Sequence, residues 1–507
     1  MNSSQETDTP ILKEQEPDRR LQAGLVAIWL LYLLVQTWVA WHHEPWLDEA
    51  QAWLLVKDSS LWNLLAHLLR YEGHPPLWYL WLWIPVKLGF PYPGIWVFSV
   101  VLAGAACWLI LFRSPFPLPI RLLLPWGFFL FYQYGVIARS YSLLPPLVFW
   151  LAATWRFRLV RPLRFWMPVL LLMLGSVHGA VFALAAAGLT LLDLCRQWGG
   201  LTRDIRRATF GGLALVLATG GVLAAMLWPS HDTIAAIGLT HRNVVQFINQ
   251  SLAATWWLSI LAMGMGMLWM DRHRTLLAYV AVMSGLIILT GQVYKVYHEG
   301  IFYLAWIFAM WLAWDRSGTA RKTDTETREC WTRWLGRGAT VAMVVIGLIH
   351  AGWAVQSTRK ELKKPYSGAE ELAAFIREHV TSGQRMFATG IHAVAAVPYL
   401  RENPFVNLSR RPGQDFVYWS RHNRILNLDR KGNVAGVKEW IRRSDPDWLV
   451  VPVNSKQTRS FLKMALQLDG YQAVKLCKGE QFWKGGVFRL DGYMIFQQKR
   501  QGREIAK

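Results

Sequence analysis

The stretch "HHEPWLDE", His42 to Glu49, puts two histidines and three carboxylates within eight residues. Glu72 and His74 follow, just before a proline pair. Further on come Arg139 and Tyr141 in "IARSYSLL", His178 in "SVHGA", and Lys295, His298 and Glu299 in "VYKVYHEG". A partly desolvated carboxylate such as Asp48 suits the work of a general base toward a hydroxyl proton. Arg139, His74 and Lys295 suit an anion on which charge builds in a transition state. Arginine can meet a phosphate through two parallel hydrogen bonds. Glu49 is not a natural twin for Asp48, because adjacent residues diverge by about 100° on a helix and by half a turn on a strand. Each group also has a plainer reading. Acids favour a helix start, His74 can cap the helix after it, Arg139 can anchor a span to headgroups, His178 can be a packed interfacial histidine, and Lys295 can pair with Glu299 at i,i+4.

What must position these groups is a membrane domain. Of 507 residues, 53% are hydrophobic, and they come in blocks of about twenty, the length a bilayer demands. The 30 tryptophans mostly flank those blocks, where an amphipathic ring suits the headgroup region. A net charge of +21 might suggest nucleic acid, but the arginines cluster in short loops between apolar blocks, which excludes that reading. Cys107, Cys195, Cys330 and Cys477 show no paired spacing, so neither a disulfide framework nor a thiolate metal site is expected. No repeats and no glycine-rich phosphate loop are visible.

The expectation is a polytopic α-helical membrane protein of about eleven spans, at 21–41, 94–112, 121–138, 142–155, 165–178, 180–195, 208–228, 252–270, 275–291, 301–314 and 338–356. The first is too long for a signal-peptide core and is read as uncleaved. Residues 1–20 form a polar, disordered tail in the cytoplasm, marked by Arg19 and Arg20. Alternate loops then carry the arginines, as the positive-inside rule requires. "HPPLWYLWLWIPVKLGF", residues 74–90, is apolar too, but counting it as a span puts every later arginine cluster on the wrong side. It is read instead as a helix along the outer surface, with Pro75 and Pro76 in its first turn. Residues 42–93 are then one large extracytoplasmic loop, and the acid pair faces outward.

The transmembrane domain ends near residue 356, and 357–507 is expected to be a soluble α/β domain on the outer side. "SGAEELAAFIREHV" carries a capping box, Ser367 with Glu370, before a helix. "DPDWLVVPVN" reads as a turn and a buried strand, "SFLKMALQLDGYQAVKLC" as helix, turn and strand, and "GGVFRLDGYMIFQQ" as a hairpin around Asp491-Gly492.

The order of "LDEAQAW", "HPPLWYLWLW", "ARSYSLLPP", "VHG" and "HEGIFYLAW" resembles the GT-C superfamily of lipid-linked-sugar glycosyltransferases. The likeness is strongest to bacterial relatives of protein O-mannosyltransferases and of the lipid A aminoarabinose transferase, and it covers most of residues 21–320. It implies transfer of a sugar from a polyprenyl-phosphate (undecaprenyl-type) donor to a hydroxyl of a lipid, glycan or protein acceptor, at the outer face of a bacterial inner membrane. Asp48 matches the catalytic base. Glu49, His74, Arg139, Tyr141, His178, Lys295, His298 and Glu299 are the candidates for binding substrate and donor phosphate. One base without a second carboxylate as nucleophile implies a single displacement with inversion. The outer domain resembles an accessory domain that helps bind the acceptor. Asp48, Glu49 and His74 are candidate ligands for a divalent cation, Mg²⁺, Mn²⁺ or Zn²⁺, although their spacing matches no compact metal signature. Gly73 stands where the aminoarabinose enzymes have a glutamate. The competing reading is a carrier or flippase for a lipid-linked anion, using the same basic, aromatic cavity without chemistry. Transporters tend to show broken midplane helices and related halves, and the sequence shows neither.

Overall fold

The computed structural model describes residues 19–234, 244–292, 295–319, 326–408, 414–423, 434–453 and 470–499. The expected tail before Arg19 and the helix expected after Ser460 lie outside the described residues. Among those described, six helices are long and apolar enough to cross a membrane: Arg19–Trp41, Tyr92–Arg113, Val177–Arg196, Arg203–Leu227, Val296–Gly318 and Glu329–Glu361. The pair Val245–Leu252 and Trp256–Arg272 is bent by 88°, and Pro162–Gly175 and Leu276–Gly291 are shorter apolar helices. The chain is thus a multi-pass helical membrane protein with a small C-terminal sheet.

The blocks at 121–138 and 142–155 are not continuous spans. Helix Leu118–Leu123 passes into a tight turn at Leu124–Trp126, then a widened π turn at Phe128–Gln133. Pro125 has no N–H to continue the ladder. Gly127 lies against the last long helix, where a Cβ would stand 3.3 Å from that of His350. Regular helix resumes only at Leu144–Thr154. The sequence did not reveal this break, and it leaves Ala138 and Arg139 on irregular backbone beside the first loop.

Helix–helix contacts are close at some of the glycines that face a neighbour. Trp29 donates its indole N–H to the Gly104 carbonyl at 2.9 Å. A Cβ on Gly212 would stand 2.2 Å from the Trp166 indole. The helix Leu77–Lys87 has 11 residues, about 16 Å of rise and half a hydrocarbon thickness, so it is too short to cross. It buries Trp78, Tyr79, Leu82 and Val86 and leaves Leu80, Trp81 and Ile84 exposed.

The sheet has the order β1-β2-β6-β3, with β1 Met386–Ala388, β2 Trp448–Val453, β3 Tyr471–Cys477 and β6 Gly492–Gln498. β1 is parallel to β2, and β6 is antiparallel to both its neighbours. β2 is buried along nearly its whole length, as its apolar run requires. Ser367 does accept a backbone N–H, but from Ala369, and the helix Ala369–His379 is capped by Gly368. The hairpin expected around Asp491-Gly492 is absent. β5, Gly486–Leu490, pairs instead with β4, Glu480–Trp483, while β6 joins the larger sheet.

The β4–β5 turn is Lys484-Gly485, with φ of +49° and +77°. Positive φ at both central residues is the type I′ requirement, and the first is unusual for lysine. The tip is pushed into the helical bundle. Gly485 donates to Ser357 Oγ at 3.0 Å, and a Cβ there would lie 2.5 Å from Gln356 Oε1. Lys484 Nζ meets Glu299 at 2.6 Å and lies 4.9 Å above the Trp353 ring, with both charged side chains almost completely buried. Breaking a buried pair by deleting one partner costs about 3–5 kcal/mol. Lys484→Met should therefore lower the melting temperature in detergent more than Lys484→Met combined with Glu299→Gln. Equal losses would mean that the pair does not fasten the hairpin.

Candidate functional site

The first-loop helix Leu47–Asp58 opens with both acids in its first turn, where negative charge suits the helix dipole. Their side chains diverge. Glu49 turns inward and is fully buried. One of its oxygens accepts the Ala138 N–H at 2.7 Å; the other meets the Trp46 N–H at 3.1 Å and His43 Nε2 at 3.0 Å. His43 Nδ1 reaches Glu361 at 2.9 Å, and Tyr132 donates its hydroxyl to the other Glu361 oxygen. Burial alone would lower the His43 pKa, but the flanking Glu49 and Glu361 carboxylates outweigh it and push the value up to about 10. The substrate and metal roles expected of Glu49 do not fit a carboxylate so fully committed to protein donors.

Asp48 turns the other way, its side chain one-third exposed, and meets Arg139 Nη2 at 2.5 Å. Both line a cavity of about 270 Å³, together with Gln51, Tyr71, Glu72, His74, Trp78 and Trp419. Three buried polar atoms in this wall have no hydrogen-bond partner among the described residues: Arg139 Nη1, His74 Nδ1 and Trp78 Nε1. Buried groups left so are usually waiting for a ligand or an ordered water. His74 is held down to about 4 by burial and by nearby Arg139, so it serves as a neutral imidazole rather than a cation. Burial, reinforced by the Asp48 charge, pushes Glu72 up to about 8 even though Gln51 donates to it at 2.7 Å. The cavity therefore holds one paired carboxylate and one protonated carboxyl at neutral pH.

Behind the cavity, Arg139 is walled by the rings of Tyr297, Tyr141 and Trp46 at 4.5, 5.2 and 5.4 Å. Tyr141 Oη lies 3.1 Å from His298 Nε2, and the His178 ring is 4.4 Å from that of His298. His74, Tyr141, His178 and His298 thus form one contiguous patch, with Tyr141 6.2 Å from His74. Two expected members stand apart. Glu299 is tied to Lys484 rather than Lys295, and the Lys295 side chain is exposed.

The expected metal set does not assemble. Glu49 faces away, Asp48 is engaged by a cation, and Gly73 has φ of +68°, a conformation that a glutamate adopts only under strain. Among the described residues, no group of three or more His, Cys, Asp or Glu side chains could hold a metal ion.

Sequence reading missed what arrives from far along the chain. Gln51 exchanges two hydrogen bonds with the Val417 backbone, both 2.8 Å, which seats Trp419 at the cavity. Tyr71 and Ser420 both donate to Asp232, so the 230–234 loop joins the same rim. Only the glutamine of "LDEAQAW", one helical turn after Asp48, offered a local hint of Gln51's place beside Asp48.

No family profile and no curated protein sequence matches the chain. Solved structures do. The cryo-EM structure of the arabinofuranosyltransferase AftD from Mycobacteria matches with a TM-score of 0.50 and 14% identity, over 96% of this chain and 40% of that one. This chain therefore corresponds to less than half of AftD. ArnT from Cupriavidus metallidurans in the apo state gives 0.51 and 12% identity, over 94% of this chain and 98% of that one. The same protein bound to undecaprenyl phosphate gives 0.55 and 10%, over 95% and 98%. At such identities the likeness establishes a shared fold.

Two outcomes follow from the carboxylates. Glu49→Ala strips acceptors from two buried N–H groups and a charge partner from His43, at a cost of about 3–5 kcal/mol. It should lower the melting temperature clearly, while Asp48→Asn leaves it near wild type; the reverse order would refute the assignment of buried and open carboxylates. Glu72, raised from 4.5 to about 8, favours the fold in its protonated form. That contribution is complete below pH 4.5 and lost as pH rises toward 8. The melting-temperature advantage of Glu72→Gln over wild type should then grow from pH 5 to 8 and level off above. A difference independent of pH would show that Glu72 is ionised throughout.

Proposed function

We propose that this chain is a membrane glycosyltransferase that moves a sugar from a polyprenyl-phosphate donor to an acceptor hydroxyl, by single displacement with inversion. The observation that carries this reading is the Asp48–Arg139 pair, set in a cavity beside buried polar atoms that lack partners. ArnT was captured with undecaprenyl phosphate on the same fold, which favours a donor of that class.

In this reading Arg139 receives the donor phosphate. Its guanidinium holds the Asp48 carboxylate until the anion arrives and takes up its hydrogen bonds. The released carboxylate then accepts the proton of the attacking hydroxyl. Negative charge grows on the departing phosphate, and Arg139 with the neutral donors His74 and Trp78 answers it in a poorly hydrated pocket. Tyr141, His178 and His298 complete the polar wall around the sugar. Glu72, protonated at neutral pH, donates a hydrogen bond and cannot act as a nucleophile. With Glu49 turned away, no second carboxylate among the described residues lining the cavity is free to form a covalent intermediate, which supports inversion. No step needs a metal. The arginine-rich alternate loops favour a site at the extracytoplasmic face of a bacterial inner membrane, with the amino terminus in the cytoplasm and residues 357–507 outside. The acceptor is a hydroxyl of a lipid, glycan or protein.

Purified protein given a polyprenyl-phosphate sugar and hydroxyl acceptors should release free lipid phosphate and form product. Asp48→Asn should cut the rate by about 10²–10⁴-fold, the usual weight of a general base. Undiminished transfer by that variant would remove Asp48 from its role. Donor binding without release of lipid phosphate, for every donor tried, would favour the carrier.

A further inference from the structure

A second polar cavity lies among the spanning helices. It measures about 410 Å³ and shares no lining residue with the Asp48 cavity. Arg113 ends the helix Trp96–Arg113, Arg156 follows the helix Leu144–Thr154, and Arg164 opens the helix Pro162–Gly175. All three line this cavity, with Asp315 as the acid and the Trp108 and Trp150 indoles beside them. The helix ending at Arg113 has 18 residues, about 27 Å of rise, so the arginines lie roughly one hydrocarbon thickness from its start.

Arginines at a loop end are ordinary in membrane proteins, so the question is whether these have other work. Neighbouring ones do. Arg158 is clamped to Asp193 at 2.6 Å, Arg121 donates to the Leu111 carbonyl, and Arg316 to the Arg274 carbonyl at 2.7 Å. Arg113, Arg156 and Arg164 form no ion pair among the described residues, and all are exposed. Arg113 stacks over Trp108 at 5.3 Å and Arg156 over Phe157 at 4.9 Å, which orients both guanidinium groups without neutralising them. Three cations against one carboxylate leave the wall with a surplus of positive charge.

The cavity also has an apolar continuation. Trp108, Leu109 and Trp150 are shared with a groove of about 690 Å³ lined by Trp29, Leu33, Leu102 and Leu147. A charged head with attached hydrocarbon fits that pairing, whereas a soluble anion would leave the groove unexplained. Indoles at the junction occupy the level where amphipathic rings meet headgroups, and basic pockets between spanning helices are a recurring means of holding anionic lipids.

We propose that this cavity binds an anionic glycerophospholipid. Its phosphate sits among Arg113, Arg156 and Arg164, and an acyl chain lies in the groove past Trp108 and Trp150. The site is independent of the transfer reaction proposed above.

Delipidated protein in detergent, titrated with dioleoyl phosphatidylglycerol and followed by native mass spectrometry, should retain one lipid at least tenfold more tightly than dioleoyl phosphatidylcholine. The variant R113Q/R156Q/R164Q should lose that preference. A control with the same charge change at exposed sites outside the cavity, R196Q/R203Q/R207Q, should keep it. Equal retention of the two lipids, or a preference surviving in the cavity variant, would overturn the proposal. So would equal loss in the control, which reports bulk charge. Undecaprenyl phosphate retained by wild type more tightly than phosphatidylglycerol, with that advantage lost in the cavity variant, would assign the pocket to the donor lipid instead. Inorganic phosphate at millimolar concentration should not compete, and competition by it would exclude the acyl groove from recognition.

Discussion

A buried carboxylate must find partners or lose its charge, and Glu49 shows how far a fold goes to meet that demand. It has no contact with water, so its two oxygens collect backbone donors from two parts of the chain and an imidazole from its own loop. The imidazole in turn is shared with Glu361 at the end of the last long helix. Each partner is needed by the others. Removing any one strands a polar group where its desolvation is uncompensated. The first loop, the irregular backbone before Arg139 and the end of the bundle are thereby held in one register.

That register decides the geometry next door. Ala138 donates to Glu49, and the next residue, Arg139, pairs with Asp48, the residue before Glu49. Two adjacent acids thus grip two adjacent residues of another segment, one through backbone and one through side chain. The inner grip is dry and charge-assisted, the outer one open to the cavity and to a competing anion. The pair reads as a fixed clasp beside an exchangeable one.

How much of this could be read in advance follows from the range of the interactions. Apolar blocks announce themselves, because a bilayer demands runs of about twenty residues, and the long helices fell where those runs predicted. The acid pair, Arg139 and His74 were visible as costly groups in an apolar chain. The break at Pro125 and Gly127 was less visible, since a lone proline is tolerated in many spanning helices. What Glu49 does was hidden because its partner Ala138, and the Glu361 that shares its imidazole, lie 89 and 312 residues away. Local pattern sees that an acid is present, not which way it faces. The misplaced hairpin has a similar cause: Asp491-Gly492 is a good turn sequence, yet β5 found its partner on its other side.

The C-terminal hairpin completes the helical bundle rather than sitting on it. Lys484 enters with its charge and is received by Glu299, while Arg489 lies 4.6 Å over the Trp46 ring, whose backbone N–H Glu49 holds. Trp46 also walls Arg139. One indole thus lies between a guanidinium from the β5 strand and the guanidinium of the cavity. Displacing the hairpin would expose the aromatic wall behind Arg139 to water and weaken its electrostatics, because charge interactions fade as the surrounding dielectric rises. Stability at the hairpin and polarity at the cavity are therefore coupled through Trp46, and a sequence divided into a membrane part and an outer part conceals that coupling.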